Sequence, residues 1–180
     1  MKNFLQADLF ALTENPFKLL DKDWMLVTAQ SGERVNTMTA SWGGLGILWN
    51  KPVAFVFIRP QRFTYEFVKA SEKLSLSFFT DKHRAALKLC GTKSGRDCDK
   101  IKEAGLTRLD LPSGTPGFQE AKIIMDCRKM FYTDLGKGTF IEQSIPLSVY
   151  PTNDFHRLYI AEIEACWINK DYDDLNKEFI

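Results

Sequence analysis

Residues 52–58, Pro52-Val53-Ala54-Phe55-Val56-Phe57-Ile58, are apolar at every position and rich in β-branched and aromatic side chains. A run of that length and composition, closed by Pro60, reads as a central strand buried on both faces. Strand-like patterns recur at residues 24–29, 35–42, 74–79, 122–133 and 158–167. The turn chemistry of Ser31-Gly32-Glu33-Arg34 folds the first two into a hairpin. Helical patterns are shorter and irregularly placed. Asn15-Pro16 opens one at residues 17–21, and Thr64 is an N-cap for another through Tyr65, Glu66, Phe67 and Val68. Two more lie between His83 and Gly105, broken around residues 91–95. Residues 134–138 form a turn, and the tail from Asp171 alternates charges as a solvated helix would. Strands dominate without regular β-α-β alternation. The expected architecture is therefore mainly β with inserted helices, an antiparallel barrel with excursions, in one domain over residues 1–180.

Composition narrows the function classes. A 44% hydrophobic and 26% charged chain has the make-up of a soluble globular protein, and its formal charge of +1 gives no general attraction to nucleic acid or membrane. No apolar stretch approaches the roughly 20 residues of a bilayer span. The opening residues soon meet Gln6 and Asp8, unlike a secretion signal, so a cytoplasmic location is expected. Cys90, Cys98, Cys127 and Cys166 form no C-x-x-C pair and read as reduced, mostly buried thiols. With only His83 and His156 as histidines, no metal site is expected. The G-x-G-x-x-G fingerprint and the G-x-S-x-G elbow are absent, and Gly43-Gly44-Leu45-Gly46 lacks a P-loop lysine. The aromatic residues follow strand patterns rather than alternating with lysines as a single-strand nucleic-acid platform would.

Two short segments carry the chemistry. Asn36-Thr37-Met38-Thr39-Ala40-Ser41-Trp42-Gly43 places small hydroxyl residues beside an aromatic on a strand. By the period of two, Thr39 and Ser41 share one face while Ala40 and Trp42 share the other, where Trp42 packs. Small side chains let a flat ring approach the backbone, whose N–H and C=O groups can read a heterocycle's edge. Arg59-Pro60-Gln61-Arg62-Phe63-Thr64 then sets two guanidinium groups and a hydroxyl where a buried strand gives way to a helix start. Forked donors and free helix amides suit a phosphate. The competing readings are a polar edge strand with a core tryptophan, and arginines in surface pairs with Glu66 or Glu72.

These motifs resemble the flavin reductase-like (flavoredoxin-type) family with its FMN-binding split barrel. Residues 26–29, 36–42 and 59–67, Ser94-Gly95-Arg96-Asp97 with Asp99-Lys100, and His156 with Tyr159, Ile160 and Glu162 occur in the family's order, from about Trp24 to about Trp167. Arg157 and Ala161 depart from the family pattern, which favours a small hydroxyl residue and glycine there. The resemblance implies a homodimer of Greek-key split barrels with FMN, or alternatively FAD, near the subunit interface, and NADH or NADPH as electron donor. It implies that Thr37, Met38, Thr39, Ala40, Ser41 and Trp42 line the isoalloxazine and ribityl chain, largely through the backbone. Arg59, Arg62 and Thr64 then lie at the phosphate, with Gln61 and Phe63 as neighbours. Lys93, Ser94 and Arg96 lie in a loop that closes over the flavin and receives the dinucleotide, or simply joins two helices. His156 faces the flavin or the substrate, or is bonded within a turn. Hydride transfer to flavin needs no protein acid or base, so no catalytic side chain is assigned. The implied function is an FMN-dependent oxidoreductase. Its alternatives are an electron carrier with a protein redox partner and a flavin-binding module without turnover.

Overall fold

The computed structural model describes residues 1–172. The helix expected from Asp171 onward falls almost wholly outside the described residues. An eight-stranded antiparallel sheet organises the chain, in the order β3-β2-β6-β9-β10-β5-β4 with β1 beside β10. The strands are β1 (Phe4–Ala7), β2 (Met25–Ser31), β3 (Arg34–Ala40), β4 (Gly43–Leu48), β5 (Lys51–Ile58), β6 (Lys73–Phe78), β9 (Ile123–Asp134) and β10 (Arg157–Asn169). The short hairpin β7 (Arg108–Asp110) and β8 (Pro116–Phe118) forms a separate small sheet. Register shifts at Ile160/Ala161 and Ile163/Ala165 bend the two longest strands, as bulges do where a sheet must coil. The strand β10 takes β5 along its first half and β1 along its second.

The two end strands of this sheet, β3 and β4, are consecutive in the chain and joined only by Ser41 and Trp42. The sheet therefore curls into a barrel left open between them. Gly43 turns the corner. A Cβ there would lie 2.7 Å from the Phe55 carbonyl oxygen and 3.4 Å from Met25 Cε, so only glycine fits. The far end of β4 turns through Trp49 and Asn50, both at left-handed φ (52° and 57°), as a two-residue hairpin of matching twist requires.

Alternation along the strands separates two cores. Met25, Val27 and Ala29 of β2, Leu74, Leu76 and Phe78 of β6, and Ile123, Met125 and Cys127 of β9 point into the barrel. Leu26 and Ile124 point outward, where α2 (Arg84–Thr92), α3 (Lys100–Glu103) and the β7–β8 hairpin cover them with Leu87, Cys90, Leu106 and Phe118. The helix α1 (Phe63–Ala70) inserts Phe67 and Val68 into the inner core. Among the described residues no helix is long and apolar enough to cross a membrane.

The structure corrects several expectations. The run at residues 52–58 is a strand, but it is sealed throughout on one face and only at Val53 on the other. Val53, Ala54, Val56 and Ile58 are buried, whereas Phe55 and Phe57 are half-buried, because beyond β5 lies only the edge strand β4. Thr64 does not cap α1; Arg62 occupies that position with no side-chain cap bond, and Thr64 is buried within the first turn. The glycine-rich Gly43-Gly44-Leu45-Gly46 belongs to a strand, since its partner β5 supplies the apolar pattern it lacks. Strand β1 and helix α4 (Ser144–Val149) carry too little periodicity to be read locally. The helical turn at Lys18–Asp23, the hairpin, both helices before Gly105 and the long strands β9 and β10 lie where the sequence pattern puts them, within a few residues.

Candidate active site

A cleft of about 350 Å³ opens beside the gap in the barrel, lined by Met38, Thr39, Ala40, Ser41, Trp42, Phe57, Arg59, Gln61, Arg62 and His156. Its volume lies in the usual range for small-molecule sites. The two motifs read from the sequence thus meet at one place, brought together because β3 and the end of β5 flank the same opening. A second hollow of about 760 Å³ lies past the start of α1, lined by Arg34, Asn36, Phe63 and residues 95–102 among others.

Among the described residues strand β3 pairs with β2 along one edge only. Its other edge is free to offer backbone donors and acceptors to a ligand. The side chains on β3 divide as alternation demands. Thr37 lies on the outer face with Thr28 and Thr39, fully buried, where it donates to the Val27 carbonyl at 3.2 Å and shares a hydrogen bond with Thr28 at 2.9 Å. Thr39 Oγ1 donates to the Leu87 carbonyl of α2 at 2.5 Å. Neither hydroxyl is aimed at the cleft, so this face of β3 is committed to packing rather than to a ligand. Trp42 does not pack in the core as expected. It is 53% exposed and lies tilted against His156, with ring centroids 5.3 Å apart.

The two arginines have different environments. Arg59 is engaged by the end of α4 and the segment after it. It donates to Asp154 Oδ2 at 3.0 Å and to the Val149 carbonyl at 2.7 Å, and it covers the Tyr150 ring at 5.1 Å. Gln61 reaches the same carboxylate oxygen at 2.7 Å. Neither Glu66 nor Glu72 is the partner of Arg59 or Arg62; Glu66 pairs with Arg96 instead. Arg62 donates once, from Nη1 to the Gly91 carbonyl at 2.8 Å, and among the described residues its other N–H groups have no protein acceptor. Partial burial without a carboxylate lowers its pKa from the ordinary guanidinium value. At the start of α1 the amides of Phe63 and Thr64 likewise have no acceptor among the described residues, which leaves the positive end of the helix open. The Thr64 hydroxyl accepts from Asn36 Nδ2 at 2.9 Å and stands outside the cleft lining.

The loop expected to close over a flavin is held mainly by its own partners, with Arg96 Nη1 also reaching the carbonyl of the cleft residue Gln61 at 3.3 Å. Lys93 pairs with Glu103 at 2.7 Å, Ser94 Oγ accepts from the Arg96 amide at 3.2 Å, and Arg96 stacks on Phe63 at 4.6 Å while bonding Glu66. Gly95 crosses Asn36 so closely that a Cβ would sit 2.2 Å from its Oδ1. Lys93, Ser94 and Arg96 therefore stand apart from His156, the remaining substrate-side residue. Arg96 faces the larger hollow.

Sequence reasoning missed three lining or supporting residues. Phe57 shares a strand face with Arg59 by the period of two, a signal that was present. Tyr150, whose hydroxyl lies 2.7 Å from His156 Nδ1, follows a helix with no clear pattern and carried no signal. Lys100, nearly fully buried, donates to the Cys90 carbonyl at 3.1 Å, and burial, partly offset by Cys90 and reinforced by the Arg62 charge, lowers its pKa to about 8. His156 is buried to 8% exposure, and burial with the nearby Arg59 charge brings its pKa down to about 4. It is therefore a neutral ring at pH 7. The thiols of Cys90 and Cys166, pushed by burial to about 11 and about 12, are free and inert.

The family model for the flavin reductase like domain matches residues 19–177. Among solved structures, the chain is similar to an FMN-binding domain of a flavin reductases-like enzyme from Shewanella baltica OS155, at 20% identity and TM-score 0.68, covering 93% of this chain and 78% of that one. Flavoredoxin of Desulfovibrio vulgaris (Miyazaki F) aligns at 19% identity and TM-score 0.65, again over 93% and 78%. An NADH:FAD oxidoreductase from Streptomyces globisporus C-1027 aligns at 13% identity and TM-score 0.61, over 82% and 81%. No curated protein sequence matches. With a fold shared across these structures and a family model spanning most of its length, the chain belongs to the flavin reductase-like domain family.

Proposed function

We propose that residues 1–180 form one flavin reductase-like domain that binds FMN in the cleft and oxidises NADH or NADPH, passing electrons to a further acceptor. The observation that carries this reading is the pairing of an unspent guanidinium, Arg62, with the open amides of Phe63 and Thr64 at the end of a free β-edge. Oriented donors converging beside an unpaired strand fit a ligand with an anionic end and a flat heterocycle. Arg62 and the α1 amides would hold the phosphate, with Lys100 behind them. The β3 edge from Met38 to Ser41 would read the ring, and Trp42 would cover it. Arg59 and Gln61 act indirectly, by fixing the segment that carries His156. Bound flavin supplies the hydride chemistry; the protein binds, orients and excludes water.

Support for a nicotinamide donor comes from the NADH:FAD oxidoreductase among the similar folds, and for a carrier role from the flavoredoxin. An absorbance spectrum of purified protein with FMN, followed by anaerobic titration with each nicotinamide, decides among them. Flavin bleaching by NADH or NADPH is the expected outcome. A flavin that binds but stays oxidised with both donors overturns the reductase reading and leaves the carrier or the non-turnover module. Failure to bind FMN or FAD overturns the flavin site itself.

A homodimer is part of the same proposal. Trp49 and Phe131 are exposed at the β4–β5 hairpin, edge-on to each other at 6.3 Å, and Trp42 is exposed at the start of β4. Large apolar side chains grouped in this way favour a protein partner, and a second copy would cover them next to the cleft. Free thiols that burial holds protonated suit a reducing, cytoplasmic setting.

A further inference from the structure

His156 lines the cleft with the rings of Trp42 and Phe57 on either hand. Trp42 lies 5.3 Å from the His156 ring and Phe57 stands edge-on to it at 6.4 Å. Behind it, Tyr150 packs edge-on at 5.5 Å and places its hydroxyl 2.7 Å from Nδ1. Among the described residues Nε2 has no protein partner. It is not sealed from solvent either, and His156 lines the cleft. The charges around His156 are paired in place: Asp154 accepts from Arg59, Gln61 and Thr152, and Arg59 also donates to the Val149 carbonyl. No carboxylate is left to draw a proton onto the imidazole, which burial and Arg59 keep neutral.

A neutral imidazole carries one proton, and the Tyr150 contact decides where it resides. A phenol is a strong donor and a weak acceptor, whereas an unprotonated imidazole nitrogen is a strong acceptor. The favoured arrangement has the Tyr150 O–H donating to Nδ1. The ring proton is then on Nε2, toward the cleft.

We propose that Tyr150 is a positioning residue that fixes His156 with its proton on Nε2, so that the cleft beside Trp42 and Phe57 presents one neutral donor to the oxygen of a small planar carbonyl, quinone or nitro compound. The aromatic walls accept a flat molecule, and the single N–H registers it by its oxygen. A cation finds no acceptor there. This names the class of electron acceptor for the flavin reading above and rests on it for the acceptor's reduction, though not for the state of the ring.

Two measurements test it. Nitrogen-15 NMR of the histidines in the full chain without cofactor is expected to show His156 neutral with its proton on Nε2 between about pH 5 and 8. A ring with its proton on Nδ1, or a charged ring in that range, overturns the proposal. With FMN-loaded protein, flavin difference spectra give the affinities of acetophenone and of α-methylstyrene, a planar analogue lacking the oxygen. The ketone is expected to bind about three- to tenfold tighter. That preference disappears in His156→Phe and shrinks in Tyr150→Phe. It returns in the Tyr150→Phe/His156→Gln double variant, where an amide supplies the donor without a tautomer to fix. A preference that survives His156→Phe overturns the proposal. If Tyr150→Phe does not fold, the native tautomer and the His156 variants still decide. If FMN does not bind, the flavin reading falls, and the NMR result alone judges the Tyr150–His156 pair.

Discussion

Arg62 and His156 both line the cleft and answer to different experiments. Arg62→Ala removes the unspent donors together with one bond to the α2 terminus. FMN affinity should fall by roughly 1.5–3 kcal/mol, the scale of a hydrogen bond to a charged group. Fluorescence titration of FMN against the variant checks this, and unchanged affinity removes Arg62 from the phosphate role. For His156 the folded pKa of about 4 lies below the unfolded value near 6.5, so the unfolded chain takes up its proton first. The contribution is full above about pH 6.5 and is lost as pH falls toward 4, at most roughly 3 kcal/mol. Urea unfolding at several pH values should show that slope, and His156→Phe should flatten it. At this scale the sequence was half legible. Arg62 and Trp42 could be placed at a cleft from their motifs. The loss of Arg59 to Asp154 could not be foreseen, because that carboxylate is distant along the chain and only the fold brings it near.

The elements were more legible than the side chains they carry. Alternation and turn chemistry located β2, β3, β5, β6, β9 and β10, because each has an apolar face to bury. Edge strand β4 and helix α4 escaped, since little of either is buried and their patterns are correspondingly weak. Thr64 departs from the expected cap for a related reason: the residue type suits that position, but a buried partner, Asn36, holds it inside the first turn, two residues past the cap. The loop between α2 and α3 offers a prediction at this scale. Gly95→Ala drives a methyl group into Asn36, which in turn holds Thr64 at the start of α1. Overpacking of this kind should destabilise by about 1–3 kcal/mol. It should also loosen the α1 terminus, seen as faster hydrogen exchange at Phe63 and Thr64 and weaker FMN binding. An unchanged melting temperature would show that the loop moves aside freely.

For the whole molecule, the exposed aromatic face around Trp49 and Phe131 separates assembly from folding. Trp49 holds a left-handed backbone conformation that glycine adopts without cost. Trp49→Gly should therefore leave the hairpin intact, or stabilise the monomer by up to about 1 kcal/mol, while weakening the dimer. Analytical ultracentrifugation over a concentration series should show a raised dissociation constant with unchanged circular dichroism. A protein monomeric at every concentration before mutation overturns the dimer proposal.

The joint at Ser41 and Trp42 has a mechanical consequence. Every other boundary in the curled sheet is a ladder of hydrogen bonds, but at this seam the walls are linked only by covalent backbone. Like the hinge of a shell, it limits how far the lips part, about 11 Å across three Cα steps, without clamping them shut. A molecule gripping both lips would act as a rivet, so occupancy should be felt as slower amide exchange along β3 and β4, well beyond the atoms it touches.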